Sequence, residues 1–431
     1  VKNGRPLLLL VTYCFPPETK AAARRPFQLR HYLPEFGWDV RVLCPRLPSS
    51  DKRDDPAVLE VARGKIGEWL RRFVPVDEKP LFEQWSRTST EGHALPDDPL
   101  TSKALRAARG FILPDQHAPW IASVVRAGLA DPRSREADLV LSTSPPYSCH
   151  VAGYLLARRL GVPLVLDYRD PYSLNAINPP GTLDRPIKER MERGILKRAA
   201  AVTAVSEGYA RRQAAFAGCE VHAIPNGWEP EDGEPLQAVR SPLADGPLIL
   251  AHTGTIYPIA HDVAALASGL AHAVSAGVDL RVASCGSGGR FLREALEPLG
   301  LADRVDDAGR VSRAEAVQMR AEASAQLLFL PSRPEDEGTI PSKLFDYLVT
   351  GQPILAVGDP GSEPGQILQR AGAGLALTRP EEIGARLEAL AEAQRSGTLE
   401  DQRVSKEGAA LFSGKVMAGA FAEILEQLRR E

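Results

Sequence analysis

The segment Glu335-Asp-Glu-Gly-Thr-Ile-Pro-Ser-Lys-Leu-Phe-Asp-Tyr-Leu348 gathers the residue types that could hold a phosphorylated ligand. The apolar run Gln326 to Leu330 precedes it and reads as a buried strand. Pro341 suits a first helical position, where a missing N–H costs nothing. A helix N-terminus here would turn backbone N–H groups near Gly338, Thr339 and Ser342, and the positive end of the helix dipole, toward a diphosphate or a sugar hydroxyl. Lys343 adds a full charge on that turn. Asp346 follows on the same face, where its carboxylate could accept from two adjacent ribose hydroxyls. Lys and Asp at this spacing also form ordinary surface ion pairs, so the segment needs its context.

Three other loops carry candidate chemistry. Arg169 and Asp170 directly follow the apolar strand Leu164 to Asp167, where an Arg and an Asp could bind and orient an acceptor hydroxyl, or brace the loop as an ion pair. Trp120 could stack on an acceptor ring or fill the core. Gly286-Ser-Gly288 follows a strand like a phosphate turn, though G-x-G alone is a weak signal. The eight histidines do not cluster with carboxylates at metal spacing, so no metal and no resident cofactor are expected; His252 and His261, near a glycine turn, are the two to watch. No G-x-S-x-G elbow occurs, which disfavours a Ser/His/Asp hydrolase.

Positioning these loops requires two domains, since 431 residues exceed what one core usually serves. A composition of 44% hydrophobic and 25% charged residues is that of a globular protein. The formal charge of −3 gives no reason to expect nucleic acid as partner. The five scattered cysteines read as reduced thiols, hence a cytoplasmic enzyme. The apolar run Leu7 to Val11 is too short to span a bilayer.

In the first half, strands are expected at Leu7 to Tyr13, Asp39 to Leu43, Leu139 to Ser142, Leu164 to Asp167, Val202 to Val205 and Val221 to Ile224. Helices such as Arg25 to Leu33, Cys149 to Leu160 and Ile187 to Ala199 alternate with them, the pattern of a doubly wound α/β domain. This domain is placed at 1–235, with an insertion at about 45–114. Inside the insertion, Ile66, Trp69, Leu70 and Phe73 among Arg63, Lys65, Arg71 and Arg72 make a basic amphipathic helix. It reads either as a helix packed on its own domain or as a peripheral membrane contact. A proline- and glycine-rich linker leads to a second α/β domain at 247–410, with strands at Leu248 to His252, Leu280 to Ser284, Ala325 to Leu330, Pro353 to Val357 and Gly374 to Leu377. Ser312 and Glu315 form a capping box, and a last helix, 415–431, is expected to join the first domain. In such open sheets ligands lie beyond the carboxyl ends of the strands, so two facing Rossmann-like domains should share a cleft.

Thr339-Ile-Pro-Ser-Lys-Leu-Phe-Asp-Tyr347 followed by Gly351-Gln-Pro353 resembles the donor-binding signature of the GT-B retaining glycosyltransferases of family 4, in the branch reading T-I-P-S-K-L-F-E-Y. The resemblance extends through Phe15-Pro-Pro-Glu18 with Arg24-Arg25, Pro114-Asp115, Ser142-Thr-Ser-Pro-Pro146, Asp167-Tyr-Arg-Asp-Pro171 and Ile224-Pro-Asn-Gly227. It implies a nucleotide diphosphate sugar as co-substrate and transfer to an acceptor hydroxyl with retention. The acceptor would be a carbohydrate, a lipid-linked sugar or a small molecule, met in the cytoplasm or at the inner membrane face. By this resemblance Asp346, where most members have Glu, holds the ribose. Gly254 and Thr255 admit the diphosphate, and Gly309, Arg310 and Val311 border the base. Gly286, Glu337, Gly338, Thr339, Ile340, Pro341 and Ser342 complete the donor side. Pro17, Arg24, Arg25 and Trp120 face acceptor or phosphate, and Lys343, with Arg169 and Asp170, is the catalytic candidate.

Two departures matter. The family's second Glu, eight residues before Asp346, is Gly338 here with Glu337 one residue off register. The basic pair usual after the glycine turn is replaced by Tyr257-Pro-Ile-Ala-His-Asp262. An epimerase or phosphorylase on the same fold, or a non-catalytic nucleotide-sugar sensor, stays open at this point.

Overall fold

The computed structural model describes residues 4–18, 21–46, 55–63, 113–175, 184–228, 243–258 and 260–430. The chain divides into two compact units, Val1–Pro225 with Met417–Glu431, and Asn226–Val416.

In the first unit, strands β1 (Leu7–Val11), β2 (Asp39–Pro45), β3 (Val58–Val61), β4 (Leu139–Ser144), β5 (Leu164–Tyr168), β6 (Ala201–Ala204) and β7 (His222–Ala223) form a parallel sheet in the order β3-β2-β1-β4-β5-β6-β7. Its described helices are α1 (Ala21–Tyr32), α2 (Ala118–Ala130), α3 (Ser148–Leu160), α4 (Arg185–Leu196) and α5 (Glu207–Ala217). β1 is apolar at every position because both faces are covered. Leu9 and Val11 pack with Trp120, Val124 and Leu156, whereas Leu8 and Leu10 pack with Leu29, Trp38, Phe421 and Leu425. β3 lies within the stretch read from sequence as an insertion and extends the sheet edge beside β2. The basic helix expected around Ile66 to Phe73 lies outside the described residues.

The second unit is a parallel sheet of β8 (Leu248–Gly254), β9 (Leu280–Gly286), β10 (Val305–Asp307), β11 (Ala325–Phe329), β12 (Ile354–Val357) and β13 (Ala376–Leu377), ordered β10-β9-β8-β11-β12-β13. Helices α6 (Val263–Ser275), α7 (Gly289–Leu296), α8 (Arg313–Glu322), α9 (Ser342–Thr350), α10 (Glu363–Arg370), α11 (Pro380–Arg395) and α12 (Lys406–Ala410) belong to it. α8 opens with the expected capping box, Glu315 N–H donating to Ser312 Oγ at 3.2 Å and Ser312 N–H to Glu315 Oε2 at 2.7 Å. α13 (Gly414–Arg430) starts in the second unit and continues into the first, where Met417, Phe421 and Leu425 enter the core.

In both sheets the chain order reverses beside the first strand, between β1 and β4 and between β8 and β11. Loops diverge at such a switch point and leave a crevice at the carboxyl ends of the strands.

Candidate active site

The donor-side residues of the second unit meet at the β8/β11 switch point. β8 ends in Gly254, at φ +120°, and β9 ends in Gly286, at φ +105°. The two turns touch backbone to backbone: a Cβ on Gly286 would lie 2.4 Å from the Gly254 carbonyl oxygen, so only glycine fits there. Ser287 N–H donates to Gly254 O at 3.2 Å, Gly286 N–H donates to Gly309 O at 2.6 Å, and the Thr255 and Ser287 hydroxyls are 3.1 Å apart.

α9 begins just after Pro341, which stands at the N-cap with extended ψ 125° rather than inside the first turn. Three side chains of this helix, at i, i+3 and i+4, tie the site together. Lys343 crosses Gly254 so closely that a Cβ there would sit 2.5 Å from its Cε. Its Nζ donates to Thr255 O at 3.0 Å and approaches His252 Nε2 at 3.4 Å. Tyr347 is buried, and its hydroxyl oxygen accepts from Thr253 N–H at 3.2 Å, fastening the helix to β8. Asp346 faces Arg320 at 3.7 Å, both side chains being largely buried.

The electrostatics follow from this packing. Burial pushes the Lys343 ammonium down to about 8, with Cys285 and Asp346 opposing the fall. His252, 1% exposed, is held well below the usual imidazole value by burial and then by Lys343. The same two causes bring His261 to about 3; its Nδ1 accepts from Tyr257 N–H at 3.2 Å, and its ring stacks on Phe329 with centroids 5.2 Å apart. Both imidazoles are therefore neutral at pH 7.

Around this cluster, Gly338 has φ +88°, Glu337 is exposed, Thr339 N–H donates to Asp336 O at 2.9 Å, and Ile340 packs partly against the core beside α9. Ser342 is exposed at the helix start. Gly309 turns at φ +63°, with Arg310 exposed and Val311 half-buried after it.

The first unit sorts its candidates differently. Arg25, read from sequence as facing acceptor or phosphate, is 2% exposed and buried in the fold. Its guanidinium donates to both oxygens of Asp167, at 2.9 and 3.0 Å, and to Pro225 O at 3.1 Å. Asp167 accepts further bonds from the Thr143 and Thr203 hydroxyls at 2.7 and 2.8 Å; burial opposes its charge, yet Arg25 and these donors hold its pKa below the usual carboxylate value. Trp120 is 1% exposed and packed in the core, edge-on to Tyr13 at 5.3 Å, so it offers no stacking surface. Arg169 braces its loop through backbone carbonyls instead of pairing with Asp170: it donates to Ser144 O at 3.1 Å, to Pro145 O at 2.5 Å and to Ala22 O.

Asp170 makes no hydrogen bond among the described residues and is half-buried. Burial lifts its carboxyl above the usual value while Arg169 pulls it back. Arg24 is half-buried near the start of α1, and Pro17 is exposed in the loop after β1.

Sequence reasoning gave no role to Ser287 or Tyr347 and left His252 and His261 as residues to watch. The contacts of His252 and Tyr347 depend on which strands and helices neighbour β8, which spacing along the chain does not reveal. Among the described residues no group of three His, Cys, Asp or Glu could hold a metal ion, and no helix is long and apolar enough to cross a membrane.

Residues 21–227 match the model of the glycosyl transferase 4-like domain. No curated protein matches the chain in sequence. Similar solved structures include sucrose-phosphate synthase from Thermosynechococcus elongatus, 16% identical with TM-score 0.59, covering 98% of this chain and 99% of that one. HepE from Anabaena, solved with UDP and glucose, is 13% identical with TM-score 0.58, covering 98% of this chain and all of that one. A glycosyltransferase from Rickettsia africae ESF-5 is 12% identical with TM-score 0.55, covering 98% of each chain. Taken with two Rossmann-like units, the second of which brings its glycine turns and a helix N-terminus together at a switch point, these matches give the chain a glycosyl transferase 4-like domain at residues 21–227 and the two-domain GT-B fold, the architecture of enzymes that move a sugar from a nucleotide diphosphate donor to an acceptor.

Proposed function

We propose that the second unit binds the donor with its diphosphate over the Gly254 and Gly286 turns, under the Lys343 ammonium. The observation that carries this reading is Lys343 Nζ, held 3.0 Å from Thr255 O at the β8/β11 switch point. On this reading Asp346 takes the ribose hydroxyls, Gly309 to Val311 border the base, and the N–H groups of Gly338, Ile340 and Ser342 face the sugar and phosphate oxygens, that of Thr339 being held by Asp336 O. Lys343 supplies the positive charge that the basic pair usual in the family would otherwise bring.

Transfer then proceeds with retention. The anomeric C–O bond to the diphosphate breaks, the acceptor oxygen bonds the same face of the anomeric carbon, and the acceptor proton passes to the departing phosphate oxygen. Lys343 stabilises the charge that develops there, a task whose loss typically costs about a hundredfold or more in rate. The first unit takes the acceptor, with Asp170 receiving a hydroxyl near Pro17 and Arg24. Carbohydrate, lipid-linked and small-molecule acceptors fit this arrangement, in the cytoplasm or in peripheral contact with the inner membrane face. We assign no nucleic-acid partner.

A thermal-shift screen with uridine, guanosine, adenosine and thymidine diphosphates, repeated on Asp346→Ala, tests the donor site. Ligand at about 100 times Kd adds about 2.7 kcal/mol of stability. One base class is expected to stabilise the wild type and not the variant; equal shifts in both proteins overturn the assignment of Asp346.

A further inference from the structure

We propose that His252 is a positioning residue for Lys343, holding its ammonium over the Gly254 turn so that a remaining N–H faces the donor diphosphate. The inference rests on the donor reading above and adds a residue to which neither the sequence nor the family resemblance gives a role.

The hydrogen-bond pattern fixes the imidazole. His252 Nδ1 lies 3.0 Å from Leu327 O, across the β8–β11 pairing. A carbonyl only accepts, so Nδ1 carries the proton, and in a neutral ring Nε2 is then a bare lone pair. That lone pair is 3.4 Å from Lys343 Nζ, a long but direct contact. Thr255 O takes a second ammonium proton at 3.0 Å. Of the three protons on Nζ, one is left without an acceptor among the described residues.

Burial keeps the imidazole side of this contact out of water. His252 is 1% exposed and stays neutral through the ordinary pH range, so it does not become a competing cation. The titratable groups that influence Lys343 come from several elements: His252 on β8, His261 in the loop after it, Cys285 on β9, and Asp346 on α9 with its partner Arg320 from α8. Of these, His252 is the group whose atom reaches hydrogen-bond range of Nζ. A lysine stem with four rotatable bonds would otherwise sample many rotamers, and fixing it beforehand removes an ordering cost from ligand binding. Gly254 completes the device, because a side chain there would occupy the path of the stem.

The test separates the two nitrogens of His252. His252→Asn can still donate to Leu327 O from the Nδ1 position but presents nothing at Nε2, whereas His252→Gln can place an amide oxygen near the Nε2 position. Affinity for the nucleoside diphosphate that most stabilises the wild type is measured by calorimetry between pH 6 and 9.5. For His252→Asn we expect about tenfold weaker binding at pH 7 and an alkaline limb moved to lower pH, because the ammonium has lost an acceptor. For His252→Gln we expect binding and limb near wild type. Wild-type affinity and limb in His252→Asn, or equal weakening in both variants, overturns the proposal. Lys343→Met is the control on the underlying reading: unchanged affinity there sinks the donor assignment itself, while lost affinity with an unperturbed His252→Asn sinks only the role of His252. Nitrogen-15 spectra of the wild-type histidines give an answer independent of variant folding. The Nδ1–H tautomer is expected for His252, and Nε2–H would overturn the proposal.

Discussion

Arg25 and Asp167 meet in a two-pronged ion pair inside the first unit, at 2.9 and 3.0 Å, with side chains 2% and 0% exposed. Their pairing belongs to the framework that ties α1 to β5, and removing one partner leaves a buried charge alone. Arg25→Met is therefore expected to destabilise the protein by about 3–5 kcal/mol, measured by urea unfolding, and the double change with Asp167→Asn should recover part of that loss. Asp167 has a lowered pKa, so its contribution is present at neutral pH and fades only as acid approaches its folded value, below the ordinary carboxylate range. A loss of nucleotide binding without loss of stability in Arg25→Met would return Arg25 to the ligand side.

Lys343 should show itself in stability as well as in turnover. Its folded pKa of about 8 lies below the value of an unfolded lysine, near 10.4, so between these limits the unfolded chain binds more protons. Its contribution to stability therefore rises with pH across that window, as the penalty of burying the ammonium is relieved. Lys343→Met is expected to remove this alkaline gain in the apoprotein and to lower turnover about a hundredfold or more. A wild-type pH dependence of melting in the variant would count against a buried ammonium.

The two glycines of the site predict different failures. At Gly286 an added Cβ meets the Gly254 backbone at 2.4–2.7 Å, which cannot give way cheaply, so Gly286→Ala should cost about 1–3 kcal/mol in overpacking beyond the strain of its positive φ. At Gly254 the added Cβ meets the flexible end of Lys343, so Gly254→Ala should lose donor affinity out of proportion to stability. Paired melting and binding curves of the two variants distinguish these outcomes.

His150 makes an acid prediction in the first unit. It is fully buried, 2.8 Å from Ser142 Oγ through Nδ1, and burial holds it at about 3. Because the unfolded value is near 6.5, the unfolded chain takes the proton first, and stability falls as pH drops below that point. At pH 5 this amounts to about 2 kcal/mol. His150→Asn should be less stable at pH 7 but lose less between pH 7 and 5, as urea titrations at both values would show.

The sheets were legible in the sequence where strands are buried on both faces. Leu7–Val11 and Ala325–Phe329 are near-continuous apolar runs and declare themselves. The edge strands Val58–Val61 and Val305–Asp307 did not: both are short, and the second has one apolar residue in three, because an edge strand has only one neighbour to pair with. α2 was also missed, hidden behind the irregular composition that precedes it. Within the site, the glycines and Lys343 carry distinctive spacing, so their meeting could be expected. The charged residues of the first unit could not be sorted the same way. Arg24 and Arg25 are neighbours in sequence, yet the roughly 100° of rotation between adjacent helical residues decides which is locked onto Asp167.

The path of α13 has a consequence in time. Met417, Phe421 and Leu425 fill the core beside Leu8, Leu10 and Trp38, although the whole second unit lies between them in the chain. During synthesis, the strands of the first unit emerge early but keep part of one apolar face uncovered until the residues of α13 leave the ribosome. The unit that begins first is completed last, so the second unit can settle its own core while the first still waits for its closing helix.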